Sequence, residues 1–297
     1  MPSPEIKKAI LASLAGVGIE LDVNLFSWQS VSGGSVNQSY CVRSNSESFF
    51  VKINSADKAA MFAAEADGLN AIAATQILRV PQVYVWGCNH QCSWLVLSYL
   101  DLHAHDASSQ AMFGEQLAAL HQVPQAQLGW HRDNTIGLTP QLNTPSLDWV
   151  GFYAQQRLVF QLDLAKKHGF TGSIQDKGEQ LIASLPLFFE TYKPKPSLLH
   201  GDLWGGNHGV DAAGNPVVYD PAVYCGDREA DIAMTELFGG CSSDFYAAYQ
   251  ACYPLDEGYT IRKPLYQLYH ILNHANLFGG GYAAQAEQMM DTLLLSA

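Results

Sequence analysis

The chain has 297 residues, a formal net charge of −12, 48% hydrophobic residues and 15% charged residues. This length suits one large domain or two lobes, since domains typically span ~100–200 residues. Nucleic acids and anionic membranes are recognised through clusters of lysine and arginine. Because this acidic chain lacks such clusters, neither nucleic acid nor a membrane is expected as a partner.

The sequence contains no segment with the pattern of a membrane signal. Residues 9–14 are too short and too weakly apolar for a signal peptide. No apolar run reaches the ~18–20 residues that span a bilayer. We therefore expect the protein to act in the cytoplasm.

The six cysteines are scattered along the chain, so a disulfide framework is not expected. Cys88 and Cys92 flank His90, which allows a zinc interpretation. No second pair of ligands lies at a suitable distance, so a turn between two strands is the favoured interpretation.

The first hundred residues are predicted to be rich in strands. A helix is expected over Ser3–Val17, because Ser3 and Pro4 are typical of a helix start. An alanine-rich helix is expected over Ala56–Ala74. Alternating or apolar runs bounded by turn residues predict five strands, at Phe26–Ser32, Ser39–Arg43, Phe49–Asn54, Val83–Gly87 and Trp94–Tyr99.

The rest of the chain is predicted to be mostly helical, with one short strand at Val217–Tyr219. Helical spacing of apolar residues occurs at Ser109–His121, Ser146–His168, Ile174–Tyr192, Ala230–Phe238, Ser243–Tyr253, Arg262–Phe278 and Gly281–Leu295. This order predicts an α+β fold with two lobes. Residues 1–99 would form a small antiparallel-sheet lobe, and residues 100–297 a larger helical lobe.

The segment from Leu199 to Pro221 carries the strongest chemical signal. It places a carboxylate at Asp202, an amide at Asn207 and a second carboxylate at Asp220, after a short hydrophobic run. Phosphoryl transfer in kinase-like folds uses this set: a carboxylate at the acceptor hydroxyl, and oxygen ligands for Mg²⁺ on the ATP phosphates. The alternative, three turn residues in glycine-rich loops, explains less, because polar groups at a core edge are costly without a partner.

Lys52 lies among apolar residues in a predicted strand and therefore requires a partner if it is buried. In a kinase the partners are the ATP phosphates and a glutamate on the next helix, for which Glu65 is the best candidate. The turn containing Gly33, Gly34 and Ser35 could cover phosphates with its backbone N–H groups. An exposed lysine on an edge strand and an ordinary hairpin turn are the alternatives.

Other polar residues allow more than one interpretation. Asp231 is expected to begin a helix and cap its N–H groups, although it could also brace the loop that contains Asp202. Arg228 and Glu229 could form a surface pair, and His200 is expected to be structural. Trp204 could stack on a sugar or fill the loop. The polar residues of 266–278 could line an acceptor site or lie satisfied in the core.

These residues and the order of the lobes resemble the aminoglycoside phosphotransferase and choline kinase branch of the protein-kinase-like fold. Longer strings are more specific and resemble the fructosamine kinases, also called ketosamine-3-kinases. The strings are Gly33–Asn37, Val51–Asn54, His200–Asn207, Asp220–Glu229, Asp231–Gly239 and Leu268–Phe278. The likeness runs from about Ser30 to the C-terminus and implies a protein-kinase-like fold whose residues 1–99 bind the nucleotide.

The resemblance implies an enzyme that transfers the γ-phosphate of ATP to the 3-hydroxyl of a ketosamine, free or attached to protein. The phosphoester destabilises the adduct, which is then lost, so the reaction repairs glycated amines. The implied site has Asp202 as catalytic residue and Asn207 with Asp220 as Mg²⁺ ligands. It also includes nucleotide-binding residues, which are Gly33, Gly34, Ser35, Lys52, Glu65 and the hinge residues Ser98, Tyr99 and Leu100.

Two alternatives remain open at this point. The same mechanism could act on an aminoglycoside, on choline or on another small alcohol. A pseudokinase that serves as an interaction module is disfavoured, because Lys52, Asp202, Asn207 and Asp220 are all present. Some members of the family form redox-controlled dimers through a cysteine in the glycine-rich loop. The corresponding segment here has Ser35 and no cysteine, so we expect a monomer.

Overall fold

The computed structural model describes residues 1–19, 26–31, 36–43 and 47–296. Two compact units are present: residues 1–105 with 209–220, and residues 106–208 with 221–297. The chain thus returns to the first unit for a short segment that ends at Asp220. No helix of the described residues is both long enough and apolar enough to cross a bilayer.

The described strands and helices are as follows in chain order. The strands are β1 (Ser27–Val31), β2 (Gln38–Arg43), β3 (Ser48–Ser55), β4 (Val83–Cys88), β5 (Cys92–Ser98), β6 (Asn134–Ile136), β7 (Thr139–Gln141), β8 (Ser197–Leu199), β9 (His208–Val210), β10 (Pro216–Val218) and β11 (Tyr224–Gly226). The helices are α1 (Pro4–Gly16), α2 (Ala59–Ala74), α3 (Ala107–His121), α4 (Trp149–Tyr153), α5 (Phe160–Lys167), α6 (Ser173–Ser184), α7 (Glu229–Thr235), α8 (Ser243–Cys252), α9 (Tyr259–Phe278) and α10 (Gly281–Leu294).

The first unit is built on a five-stranded antiparallel sheet in the order β1-β2-β3-β5-β4. Helix α1, whose first turn is capped by the Ser3 side chain, packs on one face. Its buried residues Ile10 and Leu14 meet Phe49 and Val51 of β3. Successive residues of a strand point to opposite faces, so Phe50 and Lys52 face the other side of the sheet.

Helix α2 covers that second face. Its buried residues Phe62, Ala66 and Leu69 pack against Leu95 and Leu97 of β5. Lys52 of β3 pairs in register with Leu95 and therefore lies on the same face as α2. The alternation of β3 thus directs a lysine toward a helix, which is the arrangement that the sequence predicts.

The β4–β5 turn contains the two cysteines that allow a zinc interpretation. The side chain of Asn89 accepts hydrogen bonds from the backbone N–H groups of Gln91 and Cys92, at 2.8 and 3.0 Å. The N–H of Asn89 in turn donates to the carbonyl of Cys92. This is a compact Asx-type turn, as the favoured interpretation expects.

The second unit is mostly helical. Helix α3 packs on α8, while α9 packs on α7 and α10. The continuous helix expected over Ser146–His168 is wrong in detail, because α4 and α5 are joined by a π-helical segment, Ala154–Val159. The helix expected over Ile174–Tyr192 ends at Ser184 and continues as a 3-10 helix to Phe189. Pro186 explains that change, since it has no N–H to donate.

Short strands in this unit support the loops that carry polar residues. Strand β8 pairs antiparallel with β11, with Leu199 opposite Tyr224. The segment His200–Asp202 follows β8 directly, and Asp227 follows β11. Both loop segments therefore begin from one anchored pair of strands.

Candidate active site

Lys52 and Glu65 form a buried ion pair in the first unit. The Lys52 Nζ lies 2.6 Å from Glu65 Oε1, and the two side chains are only 5% and 11% exposed. The burial of Phe62, Ala66 and Leu69 places this part of α2 against the sheet, so Glu65 reaches Lys52 across the interface. Burial raises the pKa of Glu65, an effect that the charge of Lys52 opposes.

Asp220 is the second partner of Lys52. Its Oδ1 lies 2.6 Å from Lys52 Nζ, and its side chain is 47% exposed. Burial opposes the charge of Lys52, but the carboxylates of Asp220 and Glu65 outweigh it and raise the lysine pKa above its ordinary value. Asp220 has a φ of 58°, in the left-handed region, which an aspartate tolerates better than most residues.

The loop after β8 is held in place by hydrogen bonds to Asp231. The carboxylate of Asp231 accepts hydrogen bonds from the backbone N–H groups of His200 and Gly201, at 2.7 and 2.8 Å. Gly201 has a φ of +82°, and a Cβ there would strike the carbonyl oxygen of Ala222. Glycine is therefore required at this position for both its conformation and its size.

This loop presents Asp202 and Asn207 together. The Asn207 Nδ2 donates to the backbone oxygen of Asp202 at 2.9 Å and to its Oδ2 at 3.1 Å. Asn207 is 6% exposed, so its amide is held almost entirely by the protein. Because the nitrogen faces Asp202, the amide oxygen points away from that carboxylate.

Two sequence interpretations change at this point. Asp231 does not cap α7, because the cap position is Arg228 and the Asp231 carboxylate binds the loop instead. Arg228 and Glu229 are not a surface pair. Arg228 is 6% exposed and donates to the carbonyls of Tyr253 and Pro254, whereas Glu229 is 0% exposed and accepts two bonds from Arg262. The surface pair was one possible interpretation of two adjacent charged residues, and their buried partners are too distant in sequence to be foreseen.

Asp227 is fully buried. Its carboxylate accepts hydrogen bonds from the hydroxyls of Tyr192 and Tyr266, at 3.0 and 2.5 Å, and from the N–H of Glu229. Burial raises its pKa, and these hydrogen bonds oppose the shift. Asp227 is therefore a structural group that ties α9 to the segment after β11.

The expected hinge lies at the end of β5. The backbone N–H of Ser98 donates to Gln82 O at 2.8 Å, and that of Tyr99 donates to Ser48 O at 3.2 Å. Leu100 follows the sheet. The glycine-rich turn residues Gly33, Gly34 and Ser35 lie outside the described residues.

An aromatic cluster adjoins the loop of Asp202 in the second unit. Gly205 packs on the backbone of Phe238 and Gly239. The ring of Phe238 lies 4.7 Å from that of His274, which in turn contacts the rings of Phe278 and Tyr282 at 5.5 and 5.2 Å. Trp204 is 39% exposed and Phe278 is 61% exposed. Trp204 on the loop and Phe278 in the cluster therefore both offer aromatic surface to solvent.

Most other polar residues of α9 are satisfied within the protein. The Tyr269 hydroxyl donates to Gln141 Oε1 at 2.8 Å, and Asn273 and Asn276 both pair with Gln161. His270 is buried, and burial lowers its pKa to about 3. The core interpretation holds for Tyr269 and Asn273, whereas the Asn276 Oδ1 is buried without a hydrogen-bond partner among the described residues and His274 lies in the aromatic cluster.

The structure thus gathers two groups of predicted residues. Lys52, Glu65 and Asp220 lie together in the first unit, and Asp202 and Asn207 lie together in the second. Sequence reasoning missed His121 and Tyr249, which stand behind Asp231. The only sequence signal for His121 is its place on the apolar face at the end of a helix.

Comparison with known proteins gives the family. The sequence profile of fructosamine kinases matches residues 17–296. The chain belongs to the fructosamine kinase family. A probable ketoamine kinase of Synechocystis sp. is 47% identical over 267 residues, which cover 90% of each chain. A chloroplastic protein-ribulosamine 3-kinase of Arabidopsis thaliana is 41% identical over 89% of this chain and 82% of that protein.

Solved structures agree with this assignment. A "putative fructosamine-3-kinase" of Haemophilus somnus matches with a TM-score of 0.87 and 32% identity, over 96% of both chains. A choline kinase of Streptococcus pneumoniae matches with a TM-score of 0.64 but only 14% identity, over 99% of this chain and all of that one, so it shows the fold alone. The predicted family, the α+β protein-kinase-like fold and the prediction of an ATP-dependent kinase are confirmed.

Proposed function

We propose that this fructosamine kinase family member transfers the γ-phosphate of ATP to the 3-hydroxyl of a ketosamine, free or protein-bound, and so initiates the repair of glycated amines. The observation that carries the proposal is the pair of residue groups at Lys52 and Asp202, in a chain whose close relatives are called ketoamine and ribulosamine kinases. The proposed enzyme acts as a monomer in the cytoplasm. Light scattering would test its oligomeric state in solution.

The nucleotide is assigned to the first unit. Lys52 would bind the ATP phosphates, and Glu65 would hold its ammonium in place, because that pair is buried and short. Gly33, Gly34 and Ser35 would cover the phosphates with their N–H groups. Ser98, Tyr99 and Leu100 would form the hinge beside adenine. The N–H groups of Ser98 and Tyr99 already donate to carbonyls, so Leu100 is the better candidate for a base contact.

Asn207 and Asp220 are assigned to Mg²⁺. The donor set fits, because Mg²⁺ prefers a few oxygen ligands and keeps several waters. Asp220 supplies a carboxylate that is 47% exposed, and the Asn207 amide oxygen points away from Asp202. When bound, the ion would neutralise charge on the transferring phosphoryl group.

Asp202 is assigned to the acceptor hydroxyl. Its carboxylate would accept or orient the hydroxyl proton, and the hydrogen bond from Asn207 holds Oδ2 in place. The loop itself is fixed by the N–H bonds to Asp231. Positioning of this kind supplies most of the rate in phosphoryl transfer, which requires little covalent chemistry from the protein.

The aromatic cluster is assigned to the acceptor. The backbone of Phe238 in the cluster packs on Gly205 of the Asp202 loop, and the exposed rings of Trp204 and Phe278 could stack on the apolar face of a sugar. The His274 Nδ1 lies 2.7 Å from the carbonyl of His270. Because a carbonyl only accepts, Nδ1 carries the proton in the neutral ring, and Nε2 is an acceptor suited to a sugar hydroxyl.

The decisive experiment is an ADP-coupled assay with a panel of acceptors. Fructosyl-lysine and ribulosyl-lysine are compared with choline and an aminoglycoside, with and without Mg²⁺. We expect turnover with the ketosamines, and its confinement to choline or the aminoglycoside would contradict the proposed substrate. ATP binding without transfer to any acceptor would contradict catalysis altogether and favour the pseudokinase alternative.

The role of Asp202 is tested in the same assay. Asp202→Ala should abolish turnover while ATP binding, measured by calorimetry, is retained. Asp244→Ala is the control, because Asp244 is an exposed aspartate of the same unit, in the first turn of α8. Activity retained in the Asp202 variant would refute the role assigned to this residue.

A further inference from the structure

Behind Asp231 lies a continuous chain of hydrogen bonds between buried side chains of the second unit. The Asp231 Oδ2 lies 3.2 Å from His121 Nε2, and His121 Nδ1 lies 2.8 Å from the Tyr249 hydroxyl. That hydroxyl lies 3.2 Å from Arg228 NH1. The four residues come from α3, α7, α8 and the cap of α7, and none is more than 6% exposed.

The chemistry of the end members determines the direction of the two outer bonds. A guanidinium can only donate, so the Tyr249 oxygen accepts from Arg228. The Tyr249 hydroxyl proton is then free to donate to His121 Nδ1. A carboxylate can only accept, so His121 Nε2–H donates to Asp231. The Tyr249 hydroxyl thus bridges Arg228 and His121, and the His121 ring bridges Tyr249 and Asp231.

Asp231 connects this chain of hydrogen bonds to the loop that presents Asp202. The Asp231 oxygen that accepts from His121 also accepts from the N–H of His200 at 2.7 Å, and the other oxygen accepts from Gly201 at 2.8 Å. A second tie supports the same place, because the Ser197 hydroxyl of β8 donates to the His121 carbonyl at 2.7 Å. The orientation of the Asp231 carboxylate thus depends on His121 and, through it, on Tyr249 and Arg228.

We propose that His121, Tyr249 and Arg228 are positioning residues for phosphoryl transfer, which hold Asp231 and thereby the loop that presents Asp202. The inference rests on the proposed function, since it assigns catalysis to Asp202. All three are buried, so they would act through Asp231 and not through contact with a substrate. A small displacement of a reacting group can lower the rate by up to about 100-fold. A substitution in this chain of hydrogen bonds can therefore lower kcat if it shifts the loop that presents Asp202.

The test compares two tyrosine-to-phenylalanine variants. Tyr249→Phe removes the hydroxyl that links Arg228 to His121 and leaves the ring in place. Tyr153→Phe is the matched control: Tyr153 is 1% exposed in the same unit and donates only to the Leu265 carbonyl, at 2.9 Å. We expect Tyr249→Phe to lower kcat about 10-fold with KM for ATP nearly unchanged, and Tyr153→Phe to leave kcat within about 2-fold. Equal kcat values in the two variants would overturn the proposal.

Hydrogen exchange gives a readout that does not depend on activity. The N–H groups of His200 and Gly201 exchange only when their bonds to Asp231 open. Mass spectrometry of the peptide around residues 198–203 should show faster exchange in Tyr249→Phe than in Tyr153→Phe. This result would stand even if the wild-type enzyme failed to phosphorylate ketosamines, so the two proposals fail separately. Unchanged exchange would refute the positioning role.

His121 provides a second pair of variants if Tyr249→Phe does not yield folded protein. His121→Leu removes the donor to Asp231, whereas His121→Gln retains an N–H that can make the same bond. We expect the glutamine variant to recover part of the kcat and of the exchange protection that the leucine variant loses. A leucine variant with wild-type kcat and exchange would overturn the proposal.

Discussion

Replacing Asp220 by asparagine separates its bond to Lys52 from its proposed bond to Mg²⁺. Lys52 is nearly buried, and its ammonium lies 2.6 Å from both Asp220 and Glu65. If Lys52 binds the ATP phosphates, as proposed, phosphates that arrive without a metal would have to displace Asp220 from Lys52 and approach its negative charge. Asparagine keeps the size of the side chain and tolerates the left-handed backbone at this position.

The size of the effect follows from the exposure of the pair. A hydrogen bond between charged groups contributes about 1.5–3 kcal/mol, and the 47% exposure of Asp220 favours the lower end. A difference of about 1.4 kcal/mol is tenfold in affinity. We expect Asp220→Asn to bind ADP about tenfold more tightly than the wild type when Mg²⁺ is chelated, and to lose the gain in affinity that added Mg²⁺ gives the wild type.

Isothermal titration of ADP, with chelator and with Mg²⁺, measures both quantities. Asp57→Asn is the matched control, since Asp57 pairs with Lys58 on the surface of the same unit, with side chains 69% and 38% exposed. Its affinities should equal those of the wild type. The reasoning is refuted if Asp220→Asn binds metal-free ADP no more tightly than the wild type does.

Two further predictions concern the second unit and the loop of Asp202. Gly201→Ala should lower the free energy of unfolding by at least about 2 kcal/mol and reduce kcat, because the new Cβ meets Ala222 O at a φ of +82°. Gly214→Ala, at a φ of +84° with open space around it, should cost only about 1 kcal/mol in urea unfolding, and equal losses would contradict the steric argument. Burial raises the pKa of Glu229 to about 7 from an ordinary 4.5, despite Arg262, so the folded state binds this proton more tightly than the unfolded state does. The contribution of Glu229 to stability should therefore fall as the pH rises from 4.5 to 7, and Glu229→Gln should reduce that fall by on the order of 2 kcal/mol in urea unfolding. An unchanged pH dependence would contradict the assignment.

Local patterns in the sequence were sufficient for the strand and helix that carry Lys52 and Glu65. The alternation of β3 places Lys52 on the face opposite Phe49 and Val51, and Glu65 is the acidic residue with apolar neighbours in the next helix. Both signals depend only on the residues nearby, because strand and helix periodicities are local. The pairing of Lys52 with Glu65 can therefore be predicted from the sequence alone.

The supports of the Asp202 loop could not be read in the same way. Asp231 looks like a helix cap from its neighbours, and its actual partners, His121 and the His200 N–H, are distant in sequence. Strands β8 and β11 have three residues each, too few for an alternating pattern. Tertiary packing decides these features, and a single sequence records only that the residues are polar or apolar.

The two carboxylates at the centre of the proposal are held by different means. Asp202 stands on a loop whose backbone N–H groups are bound by Asp231, and these bonds do not involve any group that a substrate would take. Asp220 instead forms an ion pair with Lys52, the residue assigned to the phosphates. On the proposed assignments, binding of nucleotide and metal would exchange the partners of Asp220, whereas the bonds that hold the Asp202 loop would stay as they are. Substitutions of Asp231 and of the residues that hold it should therefore lower kcat. Substitutions around Lys52 should change the affinity for nucleotide and its dependence on Mg²⁺.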